Sequence, residues 1–359
     1  MTHPIKSIIA ASGSYIPTVR ISNEDFIDHC FFDKHGSPLL QDQATVLDKF
    51  KAISGIAERR YAQPDQQASD LGFYAAKDAL GSSGIDPESL DYLIVAHNFG
   101  DVVVGSNRVN MVPSLASRIK ALLQIKNPNC VAYDLAFGCP GWLEGVIQAT
   151  YYIRSGDARR CLVIGTETLS RVTDPYDRDC LLFGDGAGAI ILEAAQGSQT
   201  GVLAHCTQTH AYEHAHLLLM DRSNAPQQVN SEDIFMKMNG RKLYEFALTN
   251  VPLAIKAVLD KAGIPLSAVN KVLIHQANDK MNGAILERLF KLYDMPMPCP
   301  EFMPMTISWL GNSSVATIPT LLDLILKGNL ANHQINPGDK VVFASVGAGM
   351  NINALVYQF

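Results

Sequence analysis

The chain has 359 residues, 47% of them hydrophobic, and a formal net charge of −6. That length suits two ordinary domains or one large duplicated unit, and the lack of any Lys/Arg-rich block argues against a nucleic-acid surface. Seven cysteines without close paired spacing argue against a zinc or disulfide framework and for a reduced, cytoplasmic protein.

Residues 1–7 lack the charged-then-apolar pattern of a secretion signal, and no apolar run reaches the roughly 20 residues that span a bilayer. Residues 33–54 are polar, with one amphipathic stretch, Val46-Leu47-Asp48-Lys49-Phe50. From Gly84 to Val95 the pattern is a helix end, a Gly-terminated loop and a short apolar strand. Residues 98–111, rich in Gly, Asn and Val, read as a loop between strand and helix.

The segment Tyr133-Asp134-Leu135-Ala136-Phe137-Gly138-Cys139-Pro140-Gly141-Trp142 follows. A strand ends near Leu135 and residues 142–153 have helical spacing, so Cys139 falls at the turn into a helix, with Pro140 suited to its first position. Unpaired N–H groups and the dipole at a helix start lower a thiol pKa, which would make the thiolate available as a nucleophile. Taken alone, Cys139 reads equally as a buried structural thiol. Phe183-Gly184-Asp185-Gly186-Ala187-Gly188-Ala189 precedes an apolar strand, where a phosphate loop would precede a helix, so its glycines point to close backbone packing.

The pattern breaks between Ala194 and Gly201, which divides the chain into 1–196 and 197–359. Residues 221–233 are a polar surface excursion; with 33–54 and 98–111 they read as solvated loops or the rim of a substrate entrance. The second half repeats the first. Gly263 to Ile274 aligns without a gap on Gly84 to Val95, and Pro337-Gly338-Asp339 before Val341-Val342-Phe343-Ala344 matches Ser155-Gly156-Asp157 before Cys161-Leu162-Val163-Ile164. Apolar strands alternating with helices make this an α/β fold built twice, with a shared interface where sites often form.

His275 follows the strand Val272-Leu273-Ile274 and breaks the repeat, since its counterpart is Ala96. Functional groups gather at such strand ends, although a lone His is also commonly structural. Asn312, in Trp309-Leu310-Gly311-Asn312-Ser313-Ser314, precedes a predicted helix and could be its N-cap. Gly347-Ala348-Gly349 precedes a final strand, and such small residues let a backbone N–H face a thioester carbonyl.

Together these motifs resemble the 3-oxoacyl-ACP synthase III family of the thiolase superfamily. The likeness runs from Gly13-Ser14-Tyr15-Ile16-Pro17 through Ser54-Gly55-Ile56-Ala57-Glu58-Arg59-Arg60, Cys139, Asp174-Pro175-Tyr176-Asp177-Arg178 and Phe183-Gly184-Asp185 to His275-Gln276-Ala277-Asn278, Gly311-Asn312-Ser313-Ser314 and the terminal glycine loop. It implies a duplicated five-layer α-β-α-β-α thiolase fold. Cys139 would accept the acyl group, with backbone N–H groups of Cys139 and Gly347 as the oxyanion hole. His275 and Asn312 would stabilise a decarboxylating malonyl thioester, and Arg178 and Phe183 would contact substrate. No metal or organic cofactor is implied; the partners are acyl-CoA or acyl-ACP, an acyl carrier protein and a second copy in a homodimer.

Elongating synthases carry a second His where Asn312 stands, thiolases a second Cys in the terminal loop, and the motifs around Cys-His-Asn look closer to synthase III than to plant-type polyketide synthases. There are departures. The adenine-sandwiching Trp and Arg of the family are Lys49 and Ile53 here, which favours a carrier-bound primer. The carrier-docking Lys corresponds to Glu245 and its neighbouring Arg to Lys280, with Arg241, Lys242 and Arg288 as substitutes. A bulky aromatic of acetyl-specific members aligns with Val112, implying a primer larger than acetyl, and extra residues at 31–43 suggest a secondary-metabolite synthase. The competing readings are acyl transfer or thioester hydrolysis without decarboxylation, and a non-catalytic partner subunit.

Overall fold

A computed structural model describes residues 5–230 and 232–359; the first four residues of the N-terminal reading, and Ser231 of the 221–233 excursion, lie outside them. The first half builds a sheet from β1 (Ile5–Tyr15), β2 (Tyr92–Ala96), β3 (Val131–Leu135), β4 (Arg160–Thr168) and β5 (Asp185–Gln196), in the order β1-β5-β4-β2-β3. The second sheet contains β6 (Gly201–Thr209), β7 (Lys271–Ile274), β8 (Lys340–Gly347) and β9 (Asn351–Gln358), in the order β6-β9-β8-β7. Directions correspond as well: β2 is parallel to β4 as β7 is to β8, while β5 and β9 run antiparallel to their neighbours. The strands matched by the sequence repeat therefore occupy equivalent places. The copy is incomplete among the described residues, because the second sheet has no counterpart of β3.

The strands are apolar on both faces, as buried strands must be. In β4, Leu162 and Ile164 face an outer core with α1 (Ala68–Ser83), whereas Cys161 and Val163 face the centre of the molecule. In β8, Val341 and Phe343 join that same central core, while Val342, Ala344 and Val346 face a third core under α3 (Gly240–Ala262) and α4 (Asp279–Lys291). Between the sheets lie α2 (Gly141–Ser155) and α5 (Thr317–Leu326), nine of whose ten residues are buried. The layers are thus α-β-α-β-α, the thiolase arrangement. Gly84 and Gly263, equivalent in the repeat, end α1 and α3 at φ 67° and 66°, the left-handed conformation that glycine adopts without strain.

No described helix is long and apolar enough to cross a membrane. The polar 33–54 segment contains a helix, Gln43–Ser54, started by Asp42, whose carboxylate accepts from Thr45 N. The 98–111 loop carries a short hairpin, Asp101–Val102 against Val109–Asn110, and residues 221–233 link the paired strands Leu218–Asp221 and Phe235–Met238. All seven cysteines are free.

Candidate active site

One cavity of about 570 Å³ opens between the halves and collects Cys139, His275, Asn312, Gly347, Arg178 and Phe183. Two of the three segments read as loops border it, through Lys49 and Ile53 of the 43–54 helix and through Asn98 and Phe99; the 221–233 segment does not, and only its flanking strands reach the cavity, through Met220, Met236 and Met238. Arg241 also lines the cavity, and its guanidinium donates to Glu245 at 3.0 Å, so the acidic replacement is tied to a basic one. Lys280 and Arg288 are exposed on α4 and do not line it. Val112 is 87% exposed and also stands outside it. The alignment puts Val112 at the primer pocket, but in this chain the segment enters the cavity only at Asn98 and Phe99, and beyond the buried Val102 it runs out to solvent, with Val103, Val104 and Met111 about half exposed.

Cys139 sits between β3 and α2, with Pro140 as the cap of the helix rather than its first residue. Gly138, at φ 65°, lets the terminal glycine loop pass so closely that a Cβ there would lie 2.8 Å from both N and O of Ala348. A Cβ on Gly347 would stand 2.5 Å from Cys139 N. The loop and the nucleophile turn are therefore built against one another, and the Asn351 side-chain amide donates to Ala348 O at 2.8 Å to hold the loop's shape. The helix start was expected to lower the thiol pKa. The outcome is the reverse: burial pushes it up to about 11, outweighing the hydrogen bond that Ser314 Oγ donates to Cys139 Sγ at 3.2 Å. The thiol is protonated at rest, and its activation requires a base.

His275, 2% exposed, extends from the end of β7, where its N–H donates to Ala344 O at 2.9 Å. Burial holds its pKa down to about 4, so the ring is neutral. Nδ1 lies 2.7 Å from Thr317 Oγ1, which is itself 3.0 Å from Ser314 O. With the Thr317 hydroxyl donating to Ser314 O, Nδ1 carries the hydrogen and Nε2 is a lone pair; with that hydroxyl turned to Nδ1, Nε2 becomes the donor. Thr317 thus supports either tautomer.

Asn312 is not a helix N-cap. It lies between a one-turn helix, Ile307–Leu310, and the 3-10 turn Ser314–Ala316, and its backbone is bonded to Leu182 O and Gly184 N beside Phe183. Its Oδ1 accepts from Ser314 N at 2.8 Å, which leaves Nδ2 as the amide donor for the cavity. Ser314, which bonds Cys139 and Asn312, Thr317, which bonds His275, and Asn98 and the buried Glu167 behind Ser314 were not singled out by the sequence reading. Among the described residues, no group of three or more His, Cys, Asp or Glu side chains is placed to hold a metal ion. A thiol, a neutral imidazole and a free amide donor around one cavity can perform acyl transfer and stabilise an enolate.

Residues 133–211 match the family model for 3-oxoacyl-[acyl-carrier-protein] synthase III, and residues 259–359 match its C-terminal model. β-Ketoacyl-[acyl-carrier-protein] synthase III of Erythrobacter litoralis is 30% identical over 358 residues, covering 99% of this chain and 100% of that one. The chain belongs to the 3-oxoacyl-ACP synthase III family. A second such synthase, from Thermosynechococcus vestitus, is 33% identical over 338 residues, 92% of this chain and 94% of its own. The solved 3-oxoacyl-ACP synthase III of Pseudomonas aeruginosa PAO1 superposes with a TM-score of 0.80 at 26% identity, covering 99% of this chain and 98% of that one. As a synthase III, the protein is a condensing acyltransferase that carries an acyl group on a cysteine and condenses it decarboxylatively.

Proposed function

We propose that Cys139 is the acyl carrier, with His275 and Asn312 serving the two half-reactions. The observation that carries this is their convergence on one cavity from three separate elements. In loading, His275 Nε2 takes the Cys139 proton, the sulfur attacks the primer thioester, and the departing thiolate recovers the proton. N–H groups of Cys139 and Gly347 hold the tetrahedral oxyanion. A malonyl thioester then occupies the cavity. Its carboxylate leaves as CO₂, and the electron pair moves into an enolate whose oxygen meets Asn312 Nδ2 and the Nε2–H tautomer of His275. The enolate carbon attacks the acyl-Cys139 carbonyl; the C–S bond breaks, a 3-oxoacyl thioester leaves, and the cysteine sulfur regains a proton from solvent.

The substrates are a malonyl group on an acyl carrier protein and a primer larger than acetyl. The cavity wall supports the second point through Leu218, Met220, Met236 and Met238, side chains that adapt to an aliphatic chain. Lys49 and Ile53 at the mouth provide no aromatic face for adenine, which favours a carrier-bound primer. Arg178 and Arg241 offer positive charge to a phosphopantetheine or acidic carrier, with Lys280 and Arg288 exposed farther out on α4. Fatty-acid initiation and a secondary-metabolite pathway both supply such thioesters. We also assign the protein to the cytoplasm and to a homodimer, with the exposed apolar 98–111 loop as part of the contact. Release of ¹⁴CO₂ from carboxyl-labelled malonyl-ACP tests the reading. Asn312→Ala should lower it by about two to three orders of magnitude while Cys139 still acylates, and an undiminished rate would overturn the role given to Asn312.

A further inference from the structure

Among the buried ionisable groups that the proposed chemistry leaves unused, Glu167 is joined by hydrogen bonds, through Asn98 and Ser314, to the Cys139 sulfur. Glu167, in β4, is 1% exposed, and its Oε1 accepts from Asn98 N at 2.7 Å and Asn98 Nδ2 at 2.5 Å. An amide NH₂ has two hydrogens. The second reaches Ser314 Oγ at 3.0 Å. Ser314 Oγ, having accepted from Asn98, has its own hydrogen to give, and Cys139 Sγ lies 3.2 Å away. Donor direction is therefore fixed along the whole path from carboxylate to sulfur. Ser314 is also held at φ 52°, a left-handed conformation uncommon outside glycine and concentrated at functional sites. The strain is maintained where the hydroxyl must point at the sulfur.

We propose that Glu167, Asn98 and Ser314 form a positioning chain that aims the Ser314 hydroxyl at Cys139 and stabilises its thiolate during acyl loading. The inference rests on Cys139 being the nucleophile. The donor acts twice: when the S–H bond gives its proton to His275, and again when the acyl C–S bond breaks in condensation and the pair returns to sulfur. Glu167 has opposing effects. Its oxygen fixes Asn98; burial pushes its own pKa up to about 7, and above that pH its negative charge disfavours a second one on the sulfur. The other titratable groups facing Glu167 are His97, which donates to Asp134 at 2.9 Å, and Asp185, which accepts from Ala62 N and Ser170. On its other side the Cys139 sulfur shares the cavity with His275.

The test is the pH dependence of iodoacetamide alkylation at Cys139 in the full-length protein, read on the peptide containing it because Cys30 and Cys299 are exposed and will also react. Ser314→Ala and Ser314→Gly both remove the hydroxyl, and the glycine variant fits φ 52° without strain. Each should raise the alkylation midpoint by about one pH unit and slow the reaction roughly tenfold at neutral pH. Glu167→Gln keeps an oxygen for Asn98 and removes the charge, so its midpoint should fall. Superimposable profiles for Ser314→Gly and the parent overturn the proposal, as does a Glu167→Gln midpoint that stays or rises. Failure of the nucleophile assignment looks different: the parent itself would take no acyl group at Cys139, whatever its alkylation profile.

Discussion

At the scale of single residues, the site depends on burial more than on charge. Cys139 and His275 are both pushed towards their neutral forms by desolvation, the thiol to about 11 and the imidazole to about 4. For His275 the consequence reaches stability. Its folded pKa lies below the ordinary 6.5, so the unfolded chain binds the proton first as pH falls, and stability present above 6.5 is lost progressively towards 4. Denaturant midpoints measured at pH 7.5 and pH 5 should therefore drop more for the parent than for His275→Gln; equal drops would contradict a buried neutral ring. Thr317 gives a second expectation, because its hydroxyl serves both tautomers. Thr317→Val should slow decarboxylation about tenfold or more, whereas Thr317→Ser retains most of the rate; equal rates for Val and Ser variants would remove Thr317 from the chemistry.

At the scale of elements, close backbone approach explains the glycine motifs. Gly188 of β5 faces the start of α5, where a Cβ would lie 2.6 Å from Thr320 N and 2.8 Å from Pro319 C. Neither atom can move without moving the helix. Gly188→Ala should cost about 1–3 kcal/mol, read as a lower denaturant midpoint, and an unchanged midpoint would mean that α5 yields freely. Gly347→Ala intrudes on Cys139 N instead, so acyl loading should fall on the order of a hundredfold, since misplacement of about an ångström costs that much. Cys139, His275 and Asn312 were legible because each sits at the junction of a recognisable element, and the repeat exposed His275 as an anomaly against Ala96. Glu167 was not, because a glutamate ending an apolar strand looks like any strand terminus until folding brings Asn98 to it across 69 residues. Ser314 meets Cys139 across 175 residues, and nothing local marks that contact. The direction of the Cys139 shift was missed for a related reason: sequence locates the helix start but not the burial that pushes the thiol up.

At the scale of the whole molecule, duplication does not produce two independent bodies. The central core joins Ile94, Val163 and Leu192 of the first sheet to Leu273, Phe343 and Leu355 of the second through α2 and α5. Polar contacts cross the same seam. Ser12 and Ser14 of β1 donate to the buried Asp323 carboxylate of α5 at 2.8 and 2.6 Å, and Tyr357 OH of β9 accepts from Ile9 N at 2.7 Å. Neither half could bury its inner face alone, so calorimetry should show one unfolding transition, with calorimetric and van't Hoff enthalpies in agreement; two separated transitions would contradict a shared core. The repeat and the α/β class were legible because strand and helix periodicities are local, whereas the five layers came from the family resemblance, and nothing in the pattern told that the described second sheet would have four strands against five in the first. The same seam holds the cavity, so fold and chemistry meet at Cys139. Intact-mass measurement after incubation with a panel of acyl-CoA and acyl-ACP thioesters, repeated on Cys139→Ala, tests that meeting most directly. One acyl adduct per chain on the parent, removed by malonyl-ACP and absent from Cys139→Ala, is the expected result; an adduct that persists on Cys139→Ala would contradict it.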